Sequence, residues 1–159
     1  MSVPHNPYQP PGAELADPLP AAGRVPARVS RACILVVAAF ALGLVTLVPG
    51  IDAPVSGEPP LPFVFTAALV LLFGGVTLWL VAQTHRGRNW ARWALLLYLA
   101  AGWLLWGSQV TEEFLRSPVV GFINVACIAM EALACRDLFF GDAARWYAAM
   151  SKRPAADGA

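Results

Sequence analysis

Residues Pro62 to Ala82 read PFVFTAALVLLFGGVTLWLVA, twenty-one residues without one charged side chain. At about 1.5 Å of rise per residue, a helix of that length reaches about 30 Å, the thickness of a bilayer's hydrocarbon core. The run shows no alternation of apolar and polar residues, which a barrel strand requires. Backbone in hydrocarbon that is not closed into a barrel bonds to itself as a helix. This stretch therefore predicts a membrane-spanning helix.

Reading outward, three more runs qualify. On the N-terminal side ACILVVAAFALGLVTLV lies between Arg31 and Pro49. On the other side WALLLYLAAGWLLWGSQV lies between Arg92 and Glu112, with Trp90, Trp93, Trp103 and Trp106 near its ends, as interfacial belts are placed. The last run, from Pro118 to about Phe140, carries Glu131 at mid-depth and Arg136 with Asp137 near its end. The expected fold is all-α, an up-down bundle of four transmembrane helices at about 32–48, 62–82, 93–110 and 118–140. Composition agrees: 58% of the 159 residues are hydrophobic and 13% charged, against about 45–50% and about 25% in soluble domains. The charges sit in short clusters between the runs, where bilayer edges belong.

Those clusters also predict orientation. Arg24, Arg28 and Arg31 precede the first span, Arg86, Arg88 and Arg92 separate the second from the third, and Arg136, Arg145, Lys152 and Arg153 end or follow the fourth. Only Arg116 falls on the other side, so ten of eleven basic residues share one face, which the positive-inside rule makes cytoplasmic. Both termini are then inside. The first run follows a long arm with no early basic cluster, and Ile51-Asp52-Ala53 is a poor cleavage site, so it reads as retained and not as a signal peptide. The outer loops, about 49–61 and 111–117, are too short for a catalytic domain.

Residues 1–30 hold seven of the fourteen prolines and predict a disordered cytoplasmic arm. Residues 141–159 predict a short interfacial helix and a tail: Gly141 ends the last span, Asp142 caps a new helix, and Arg145, Trp146 and Tyr147 sit at the membrane surface.

The arm contains Asn6-Pro7-Tyr8-Gln9-Pro10-Pro11, the second cytoplasmic turn Gly87-Arg88-Asn89-Trp90-Ala91-Arg92, and the end Leu138-Phe139-Phe140-Gly141-Asp142-Ala143-Ala144-Arg145-Trp146-Tyr147. In these segments the chain resembles a group of bacterial four-span inner-membrane proteins of uncharacterised activity. That group shows an N-P-Y-x-x-P type arm, a G-(R/K)-x-W-A-R turn and an L-F-x-x-x-A-R-x-W-(F/Y) close. The resemblance implies a shared architecture and a bacterial inner membrane, and it carries no activity over to Arg88, Trp90 or Arg92. From their residue types, Arg88, Trp90, Arg92, Arg145 and Trp146 read as interfacial anchors, arginine against phosphate and indole at the headgroup level.

No motif of enzymatic chemistry is present, and a net charge of +1 gives no reason to expect nucleic acid. His5 and His85 have no clustered partners, so neither a metal site nor a cofactor is expected. The cysteines Cys33, Cys127 and Cys135 show neither zinc-type nor C-x-x-C spacing and read as small apolar fillers.

The one candidate site lies in the fourth run. A carboxylate at mid-bilayer costs about 2.5–3.5 kcal/mol on insertion scales, so Glu131 needs compensation. Asn124, Cys127, Glu131 and Cys135 follow at intervals of 3, 4 and 4, one stripe of a helix. Counting depth from span ends sets Tyr98, Gly74, Gly75 and Thr77 at the same level. The expectation is a Tyr98 to Glu131 hydrogen bond, with Gly74 and Gly75 as helix-packing positions. Function is then expected to be non-enzymatic: association with itself or with a membrane or envelope partner, in a lipid bilayer. The alternative is a small proton-coupled carrier that titrates Glu131.

Overall fold

A computed structural model describes residues 24–48, 63–107 and 110–151; most of the expected arm, the first outer loop and the tail from 152 lie outside the described residues. The described chain is all-helical: α1 Ala27–Leu44, extended by a 3-10 turn to Leu47, α2 Phe63–His85, α3 Asn89–Trp106, α4 Val110–Arg116, α5 Pro118–Phe139 and α6 Asp142–Ser151.

Three of these helices are long and apolar enough to cross a membrane: Ala27–Leu47 with 21 residues, Phe63–His85 with 23 and Pro118–Phe139 with 22. α3 reaches the same standard only jointly with α4, from which it is bent by 56°, so the candidate spans number three, or four if that pair is one span. Only 28%, 17% and 17% of the three helices' apolar windows are buried within the protein. Large apolar side chains stand outward on every side, among them Ile34, Leu71, Leu97, Leu104 and Phe122. A surface of that kind is stable in lipid and not in water.

Breaks between helices follow local chemistry. Pro26 precedes α1 and Pro118 occupies its first turn in α5, where the missing N–H removes nothing. α2 ends on Gly87 at φ +79°, with the Gly87 amide on the Thr84 carbonyl and the Arg88 amide on that of Gln83, the Schellman arrangement. Gly141 at φ +70° turns the chain from α5 into α6.

Neighbouring long helices run antiparallel. Near the start of α1, Arg31 meets Asp137 near the end of α5 and Cys33 faces the Val81 carbonyl near the end of α2. Trp79 late in α2 packs on Trp90 at the start of α3, and Trp93 of α3 packs on Phe139 of α5. α1 makes its most extensive contact with α5, and α4 lies against the start of α5.

The core is concentrated at the arginine-rich end. There Val29, Ala32, Cys33 and Val36 of α1 close on Leu80, Leu95, Ala134 and Leu138 from the other long helices and on Ala143, Trp146 and Tyr147 of α6. Trp146, expected by residue type as an interfacial anchor, is turned into this cluster. Trp146 is 4% exposed and Tyr147 is fully buried. Gly87 is the reason: a Cβ there would lie 2.8 Å from the Trp146 ring, so only glycine lets the indole seat on the α2–α3 turn. Burying two large rings is worth about 2–3 kcal/mol each relative to leaving them in water.

The span boundaries also shift. α1 starts at Ala27, which puts Arg28 and Arg31 inside its first turns. The segment read as the second outer loop is helical as α4 over Val110–Arg116.

Candidate functional site

α5 carries a file of polar side chains that reach three other helices. Asn124 donates its side-chain amide to Glu113 of α4. Cys127 directs its thiol to the Ala39 carbonyl of α1, 3.3 Å away. Glu131 accepts a 2.7 Å hydrogen bond from the indole Nε1 of Trp103 on α3. Cys135 packs against the core cluster. At the arginine-rich end Asp137 accepts two hydrogen bonds from Arg31 of α1, from Nε at 2.6 Å and from Nη2 at 2.7 Å. A buried carboxylate held by a bidentate guanidinium is among the stronger polar contacts available to a protein.

Tyr98 does not join this file, which corrects the expected Tyr98 to Glu131 bond. Its hydroxyl lies 3.1 Å from the Thr77 hydroxyl and 3.3 Å from the Phe73 carbonyl, while Thr77 also donates to Phe73 at 2.8 Å. Tyr98 thus joins α3 to α2. The reason is rotation and depth. Tyr98 and Trp103 are five residues apart, about 140° around a helix, so they face different neighbours. Trp93 packs on Phe139, and Glu131 lies eight residues beyond Phe139. That is about 12 Å deeper, whereas Tyr98 is only about 7.5 Å beyond Trp93 and Trp103 about 15 Å.

The two glycines part ways. A Cβ on Gly74 would lie 2.8 Å from Cζ of Phe40, so Gly74 admits an α1 ring into α2. Gly75 has nothing within 4 Å of that position and is exposed, which corrects its role as an internal packing residue. It lies in an apolar dent on the outer face of α2, lined by Leu71, Leu72, Val76 and Trp79.

The remaining anchors also differ among themselves. Arg88 is exposed at the N-cap of α3, and Trp90, 45% exposed, packs 5.5 Å from Trp79. Arg145 is exposed and bonds Asp142 at 2.6 Å, which holds the Asp142 carboxyl below its ordinary range. Arg92 is turned inward, against its reading as a surface anchor. Its guanidinium carbon sits 4.9 Å from the Tyr147 ring, 5.3 Å from Phe139 and 5.9 Å from Trp93, all within cation–π range. Tyr147 donates its hydroxyl to the Thr84 carbonyl at 2.7 Å, and burial pushes its phenol up. Four buried polar atoms at this same end, on Gln83, Thr84, Arg92 and Trp146, have no hydrogen-bond partner among the described residues.

Sequence reasoning missed Trp103 as a partner, Glu113, and the Arg31–Asp137 pair. The signal available for that pair is an acid, Asp137, beside Arg136 at the end of an apolar run. Among the described residues no group of three His, Cys, Asp or Glu is placed to hold a metal ion, and the three cysteines are free. Compared with known proteins, the chain matches no family, no curated relative and no solved structure.

Proposed function

We propose that this chain is a small non-enzymatic integral membrane protein of the bacterial inner membrane that acts by association, with a second copy or with a larger membrane or envelope partner. In this reading α1, α2, the α3–α4 pair and α5 are four spans in up-down order, with the arginine-rich end and both termini in the cytoplasm. Support for the order comes from the antiparallel contacts around the bundle. Support for the orientation comes from the gathering of Arg28, Arg31, Arg92, Arg136 and Arg145 at one end.

The observation that carries the association reading is Gly75. An exposed glycine in a dent on a span's lipid-facing side is where a second helix comes close enough for strong van der Waals contact. Asn124, Cys127, Glu131 and Asp137 of α5, by contrast, already bond to other helices of the same chain. The test is site-specific crosslinking in native membranes from positions flanking residue 75, in the wild type and in Gly75→Leu. A crosslinked dimer or heteromer that Gly75→Leu abolishes supports the reading. A chain that remains uncrosslinked in intact membranes overturns it.

The carrier alternative draws on the mid-helix position of Glu131. Against it, neither the dent on α2 nor the groove beside α1 is lined by Glu131. Proton flux into proteoliposomes decides: a flux present in the wild type and lost in Glu131→Gln favours the carrier, and no flux in the wild type removes it.

A further inference from the structure

A groove of about 820 Å³ opens beside the N-terminal end of α1, where Arg24, Val25, Ser30, Arg31 and Ile34 face Asp142 at the start of α6. Both signs of charge line it, two guanidinium groups and one carboxylate. We infer that this groove is a headgroup site for an aminophospholipid, with the phosphate between Arg24 and Arg31 and the ammonium at Asp142. The inference rests on the proposed membrane placement of α1.

Arg31 is suited to this because it is fixed and presented at once. Two of its N–H groups are committed to Asp137, yet the side chain is 65% exposed. A guanidinium has five donors, so three remain for another acceptor. Held rigid by the first two bonds, they bind a phosphate oxygen with little further loss of freedom.

Asp142 supplies the opposite charge. Its carboxylate is 54% exposed and contacts Arg145 through Oδ1, and a carboxylate accepts more than one hydrogen bond. A primary ammonium brings three N–H donors to it. A trimethylated ammonium brings none, and a glycerol headgroup brings no positive charge.

The apolar lining selects a lipid over a free ion. Val25 and Ile34 form part of the groove, Ile34 is 67% exposed, and Val37 of α1 and Val45 of the 3-10 turn that extends it are exposed further along. That track leads away from the charged end in the direction an acyl chain takes. A free phosphate has no use for it.

The test uses the full-length protein in mild detergent, offered phosphatidylethanolamine, phosphatidylcholine and phosphatidylglycerol of identical acyl chains, with retained lipid read by native mass spectrometry. Wild type is expected to retain the ethanolamine lipid about tenfold over the choline lipid, the size of one charge-assisted contact. Asp142→Asn equalises the two, Asp142→Glu keeps the preference, and Arg24→Gln lowers retention of all three. Circular dichroism melts confirm that each variant is folded. Equal retention of the three lipids by wild type overturns the proposal, as does an ethanolamine preference that survives in Asp142→Asn. Displacement of bound lipid by millimolar inorganic phosphate also overturns it, because it marks a site for the ion alone. The crosslinking at residue 75 is read on another helix, so loss of the association reading leaves this result standing.

Discussion

Arg31 and Asp137, 106 residues apart in the chain, are joined by two parallel hydrogen bonds of 2.6 and 2.7 Å that tie the start of α1 to the end of α5. The two ends of the pair are unequal: the Arg31 side chain is 65% exposed and that of Asp137 only 6%. Removing the arginine leaves a buried carboxylate without its partner. Removing the carboxylate leaves an arginine that water can solvate. Arg31→Gln is therefore expected to lower the melting temperature more than Asp137→Asn, and the double variant to lie above Arg31→Gln alone. Melts of the three variants in detergent check the order.

Trp103 is a donor with no acceptor function, so its bond to Glu131 requires an oxygen on residue 131. Glu131→Gln retains one and is expected to keep the bundle's stability within about 1 kcal/mol, whereas Glu131→Leu strands the indole N–H and costs about 1–3 kcal/mol. Trp103 fluorescence gives a second readout. The leucine variant should shift and broaden its emission, and the glutamine variant should not. The other tryptophans are replaced by phenylalanine to isolate this signal.

Two adjacent glycines are expected to respond in opposite ways. Gly74→Ala drives a methyl into the Phe40 ring and should destabilise by about 1–3 kcal/mol, as small-to-large changes in packed sites do. Gly75→Ala meets open space and should leave monomer stability unchanged or slightly raised. Unfolding of both variants in detergent is the measurement. Gly74→Ala combined with Phe40→Leu should recover part of the loss.

The Tyr147 phenol is buried and its pKa is raised above the ordinary value, so the folded state holds a proton that the unfolded state releases. The sign follows: the neutral phenol's contribution is complete below about pH 10, where a free tyrosine titrates, and declines as pH rises further. Undocking of α6 is therefore expected above about pH 10, seen as faster tryptic cleavage after Arg145 in short pulses at each pH. Tyr147→Phe lacks the proton to lose and should show a flatter alkaline response. It should also be less stable at neutral pH, because it cannot reach the Thr84 carbonyl.

What could be read from the chain, and what could not, divides along one physical line. The apolar runs, their lengths, the breaks at Gly87 and Gly141, and the gathering of basic residues on alternate turns are properties of order along the chain. Hydrocarbon solvation and backbone hydrogen bonding act on that order directly. Hence an all-helical membrane-type chain was legible.

The partners were not legible, because they depend on how far each helix is rotated and how deeply it sits against the next. An error of five residues in depth, or 140° in rotation, exchanges Trp103 for Tyr98. Likewise Trp146 looks like a surface anchor by residue type, and only the left-handed Gly87 beneath it makes a seat in the core. Residue order determined what belongs in the membrane and where each helix ends. Packing between helices distant in the chain decided which side chain satisfies Glu131, which glycine faces inward, and that Arg31 closes on Asp137.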